Sequence, residues 1–120
     1  MISQPHILRT QGAYYLVTGL WPLIQLASFE AITGPKVDDW LVRMVGLLAA
    51  VIGATLVLAA RQGNRSLEIF VLAIGSASAF TAVDVWYVAR GQIAPVYLAD
   101  AVVELGLIVL LVLARRSAGV

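Results

Sequence analysis

Four long apolar segments, separated by short polar turns, organise this chain. They run over about 13–33, 40–60, 67–89 and 96–114. Roughly 20 apolar residues cross a ~30 Å hydrocarbon core as a helix, so each segment is long enough for one crossing. The pattern predicts an all-α fold: an integral membrane four-helix bundle, built as a single transmembrane domain over 1–120.

Polar and special residues refine each segment. Met1–Gln11 reads as a loose or interfacial lead-in. Joined to the first segment it has the outline of a signal peptide, but the apolar stretch exceeds the usual ~7–15 residues and is interrupted by Pro22 and Gln25. Tyr14 and Tyr15 suit a membrane interface. Pro22 has no backbone donor for the carbonyl of Thr18, which predicts a kink. The second segment, with Asp38 or Asp39 as N-cap, carries Gly46, Ala50, Gly53 and Ala54 at helical spacing. The third, opened by Ser66 and Glu68, carries Ala73, Gly75, Ala77 and Ala79. Small residues so arranged let helices approach closely. The second and third segments are therefore expected to touch through Gly46, Ala50 and Gly53 against Gly75 and Ala79.

Composition supports lipid as the solvent. Of 120 residues, 61% are hydrophobic and 12% charged, against about a quarter charged in a soluble domain. The net charge of +1, with no basic run, gives no footing for nucleic acid. Cysteine is absent, which excludes disulfide exchange, thiolate metal sites and iron–sulfur clusters. The one histidine, His6, and the one lysine, Lys36, lie outside the apolar segments. A histidine-rich intramembrane metal centre and a buried retinal-type Schiff base are therefore not expected, and no cofactor is implied. Arg9, Arg61, Arg65, Arg115 and Arg116 fall on one side of the four segments, Lys36 and Arg90 on the other. The positive-inside rule places both termini in the cytoplasm.

The turn region Ser28–Arg43 draws attention because Glu30 and Arg43 flank it, each a few residues inside apolar sequence. Ionisable residues within a membrane segment mark candidate sites. Asp84 lies near the end of the third segment. Asp100 and Glu104, four apart, share a face of the fourth. At ~1.5 Å per residue all five fall in the same outer half of the bundle. Glu30, Arg43, Asp84 and Asp100 could each sit at headgroup level instead; Glu104 is too deep for its short side chain to reach water. A common pocket is expected from Glu30, Arg43, Asp84, Asp100 and Glu104, finished by Tyr97, Trp86 and Gln25. Four carboxylates against one guanidinium leave a formal deficit of cations. Unpaired buried charge costs several kcal/mol, so protons or a cationic ligand must complete the set. Trp40-Leu-Val-Arg43 and Tyr97-Leu-Ala-Asp100 also form a weak internal repeat, in which Arg43 corresponds to Asp100.

Three functions fit these residue types. The first is binding or transport of a cation, proton or amphipathic amine-bearing ligand, with aromatics supplying cation–π contacts. The second is a structural or accessory subunit whose polar cluster holds the helices in register. The third is a small membrane enzyme doing carboxylate acid/base chemistry on a lipid-like substrate. The partners implied are the lipid bilayer, a small cationic or lipid-like ligand, and a homo-oligomer or membrane-complex partner.

The runs SFEAITGPK and DDWLVR resemble those of small uncharacterised four-span bacterial membrane proteins. The resemblance implies a multi-pass protein of the cell inner (plasma) membrane and no particular activity. The layout is also broadly similar to four-span sterol-binding and isomerase-type proteins, without a shared motif. Small multidrug transporters carry their essential acid midway along the first helix, where this chain has Trp21 and Pro22.

Overall fold

The computed structural model describes residues 3–34 and 39–117. Its helices are α1 (Gln4–Ile24), α2 (Leu26–Thr33), α3 (Asp39–Arg61), α4 (Leu67–Ala89) and α5 (Tyr97–Ser117). Helices α3, α4 and α5 are each long and apolar enough to cross a membrane. Their boundaries lie close to those read from the second, third and fourth apolar segments. Large apolar side chains such as Leu48, Val51, Val71, Val102 and Leu113 are exposed on them, as lipid-facing residues would be. The Pro35, Lys36 and Asp38 positions of the expected first turn lie outside the described residues.

The first apolar segment differs from the expectation. Helix starts at Gln4, with Pro5 in its first turn where a missing N–H costs nothing. It runs through Pro22 to Ile24, breaks at Gln25 and resumes as α2, turned through 112°. Pro22 is thus accommodated inside α1, and the turn falls three residues beyond it. Two contacts hold α2 against α1 across the break. The Trp21 indole N–H donates to Ser28 Oγ at 2.9 Å, and the Trp21 and Phe29 rings meet edge to face at 5.3 Å.

Glycines decide the main helix pairing. A Cβ on Gly12 would lie 2.6 Å from the carbonyl oxygen of Gly53, and one on Gly19 would lie 2.6 Å from that of Gly46. The inverted order makes α1 and α3 antiparallel, joined at backbone distance through two glycine pairs seven residues apart. This corrects the expected partner of the α3 small-residue stripe. It is α1, not α4: α3 and α4 touch little, and Gly75 faces open space. Seven-residue spacing repeats one face every two turns, so Gly12 and Gly19 match Gly46 and Gly53 along the whole contact. No such spacing relates Gly75 to α3.

The second hairpin, α4 with α5, turns at Gly91, whose φ of 73° an L-residue rarely adopts. Ser66 caps α4 by accepting the amide hydrogen of Ile69. The hairpins meet over a core of Ile7, Leu8, Tyr15, Leu56, Ala60, Ala73, Leu107, Leu111 and Ala114. These residues fill the end of the bundle where α1 begins and α5 ends. Toward the opposite end the hairpins separate.

Candidate functional site

Where the hairpins separate, a cavity of about 740 Å³ opens between them. Its apolar and aromatic walls include Phe29 and Ile32 of α2, Leu41, Val45 and Ala49 of α3, Phe80 of α4 and Tyr97 of α5. Three carboxyl groups reach it: Asp84 from α4, and Asp100 and Glu104 from α5. The four-residue spacing on α5 presents Asp100 and Glu104 on the face turned toward α1, as their shared helical face requires.

Two tyrosines of α1 meet the α5 acids. Tyr14 donates its hydroxyl hydrogen to Oδ1 of Asp100. Tyr15 donates to Oε1 of Glu104 at 2.7 Å. Tyr15 in turn accepts from Nε2 of Gln11 at 3.1 Å, and the same amide donates to the carbonyl of Ala73 on α4 at 2.9 Å. Gln11 and Glu104 are almost wholly enclosed, so each of these bonds is formed in a low-dielectric interior, where a missing partner would be costly.

Asp84 is placed differently. It is only 4% exposed and stands beside Glu104 and Asp100, close enough to Asp100 for a proton held by either acid to bridge the two; no other donor reaches its Oδ2. No basic side chain among the described residues lines the cavity. The groups acting on Asp84 and Glu104 are the neighbouring carboxyls and Tyr15, with no guanidinium among them. The site is therefore an acidic floor under apolar walls.

Four of the expected pocket residues, Asp84, Asp100, Glu104 and Tyr97, line this cavity, and four do not. Arg43 is exposed on α3 and forms no ion pair with the carboxyl groups at the cavity. Three residues inside the helix end, its long side chain can reach a headgroup region instead. Glu30 lies on α2, carried away from the acids by the turn at Gln25. Gln25 itself is exposed at that break. Trp86 is also exposed, its ring 5.7 Å from the Arg90 guanidinium. Residues the sequence reading passed over are Tyr14, Tyr15 and Gln11. Taken as interfacial or as part of a loose lead-in, they lie on a helix that begins nine residues earlier than expected. Gln11 and Tyr15, one turn apart, share a face, which was the available signal.

No family model, curated protein or solved structure matches the chain.

Proposed function

We propose that the chain is a four-span protein of the inner membrane that binds a cationic or amine-bearing ligand at Asp84. The observation that carries this reading is the convergence of three carboxyl groups, Asp84, Asp100 and Glu104, on an apolar-walled cavity that no basic side chain among the described residues lines. Tyr14 and Tyr15 each take up an acceptor position on Asp100 and Glu104, which leaves Asp84 as the group that meets the ligand. An ammonium there gains a charge-assisted hydrogen bond, and aromatic faces at Tyr97 and Phe80 favour a cation nearby. An anion finds no basic side chain among the described residues lining the cavity.

The four spans are α1, α3, α4 and α5, with α2 turned sideways at the outer end. Supporting this, α1 runs antiparallel to α3 over its length through the two glycine pairs. Arginines 9, 61, 65, 115 and 116 gather at one end of these helices, which favours cytoplasmic termini.

A register-holding role has its own support in Gln11, Tyr15 and Glu104, which tie α1 to α4 and α5. On that reading Asp84 adds a tie between α4 and α5 only where a proton bridges it to Asp100. Equilibrium binding of a fluorescent amine to the purified protein in detergent tests the proposal, with the matching uncharged amide as control. Saturable binding of the amine, lost in Asp84→Asn and absent for the amide, is expected. Equal binding of amine and amide would overturn it.

A further inference from the structure

The cavity walls contain residues that are themselves well exposed. Val45 on α3 and Val83 on α4 line the cavity yet are 46% and 50% exposed. On α5 the same holds for Val96 and Val103. Such residues are the two lips of a cleft, not the lining of a closed chamber. Helix contacts agree: α1 with α3 and α4 with α5 are tight pairs, whereas α3 barely touches α4 and has no substantial interface with α5. The gap between the hairpins is therefore open sideways, and every lip residue named is apolar. In a bilayer such an opening faces acyl chains.

Taking the acidic floor as the ligand site proposed above, the geometry points to a single-chain amphiphile with a primary amine head, admitted laterally from the bilayer between the two hairpins. Its ammonium lies on Asp84 and its alkyl chain lies in the cleft between Val45 and Val83. Charge complementarity selects the head: three carboxyl groups, with no basic side chain lining the cavity among the described residues, favour an ammonium. The same charges oppose a phosphodiester, which would stand among carboxyl groups without a partner. Ordinary two-chain phospholipid is thereby disfavoured although it is abundant around the cleft. A small hydrated amine gains the ion pair but leaves the apolar walls uncovered. An alkyl chain adds about 0.8 kcal/mol for each methylene it removes from water; that gain is shared with the bilayer, so it must be referenced to lipid.

The test uses the full chain in nanodiscs of phosphatidylcholine, with empty nanodiscs subtracted. Dodecylamine, dodecanol and butylamine are titrated separately. Dodecylamine is expected to saturate at one per chain, dodecanol to show no saturable component, and butylamine to bind at least about tenfold more weakly. Asp84→Asn should weaken dodecylamine about tenfold or more. Val45→Trp with Val83→Trp, which narrows the lips, should slow dodecylamine uptake and lower its affinity far more than that of butylamine. Butylamine binding as tightly as dodecylamine, with both lost in Asp84→Asn, would overturn the amphiphile and leave the acidic site standing. Unchanged dodecylamine binding in the double tryptophan variant would overturn the lateral route. Absence of saturable amine binding altogether would overturn both readings.

Discussion

Tyr15 donates its hydroxyl hydrogen to Oε1 of Glu104, 89 residues further along the chain, at 2.7 Å. This one bond joins the α1–α3 hairpin to the α4–α5 hairpin at the edge of the cavity. It lies between a packed half of the bundle and a hollow one: Leu8, Leu56 and Leu111 fill the space on one side, and the acid-floored cavity occupies the other. Glu104 thus differs in role from Asp84, although both are buried acids on neighbouring helices.

Removal of the Tyr15 hydroxyl takes the donor from the buried Glu104 carboxyl and leaves the Gln11 amide with only its bond to the Ala73 carbonyl. A buried polar group left without a partner costs about 1–3 kcal/mol. Tyr15→Phe is expected to lower the melting temperature in detergent by several degrees. Glu104→Gln keeps an acceptor for Tyr15 and is expected to melt close to the parent. Equal melting of Tyr15→Phe and the parent would place the hydroxyl outside the fold's support.

The glycine pairs predict a sharp positional contrast. Gly19→Ala sets a Cβ 2.6 Å from a backbone oxygen, which cannot rotate away. Overpacking of this kind costs typically about 1–3 kcal/mol. Gly75→Ala meets nothing within 4 Å, and alanine's better helix propensity makes it neutral or slightly stabilising. Thermal melts of the two variants side by side check this, and the reverse order would remove the α1–α3 contact as the main seam.

Three of the five helices were legible from hydropathy alone, because α3, α4 and α5 are apolar throughout and flanked by Asp39, Ser66, Arg61 and Arg115. The start of α1 was not legible. Gln4, His6, Arg9 and Gln11 lower its hydropathy, and their placement around the helix explains why they are tolerated. Gln4 and Gln11 point into the protein, whereas His6 and Arg9 point away from it. Hydropathy averages over a window and does not see which face a polar residue occupies. The acids of the site were legible as intramembrane charges, while Tyr14 and Tyr15 were masked by the general preference of tyrosine for interfaces. Arg43 was drawn into the site by its depth in the apolar segment and by charge balance. Balance requires a counter-ion but does not say that the protein itself provides it.

The orientation proposed from the arginines is open to a direct check. A reporter active only outside the cytoplasm, fused after the last residue, is expected to stay silent, and a cytoplasmic reporter at the same place to be active. A fusion into the turn after Arg90 should give the opposite pair of results. Strong external activity at the C-terminal fusion would invert the bundle and place the acidic cavity in the cytoplasmic half.

The last prediction separates a binding site from a structural pin, and it turns on stability as well as binding. Asp84 is buried and adjoins two other acids. Burial of a polar group without its full set of partners works against folding, and like charges at close range add to that cost. A residue kept for register should be destabilising to remove. One kept for a ligand should be destabilising to keep. Asp84→Leu replaces the carboxyl with a larger apolar side chain, and the adjoining cavity gives it room. It is expected to raise the melting temperature in detergent, by an amount equivalent to about 1–3 kcal/mol, while abolishing amine binding. Arg43→Gln, exposed and remote from the cavity, is expected to change neither. A lower melting temperature for Asp84→Leu, with amine binding intact, would show that this carboxyl serves the fold and that the ligand is held elsewhere.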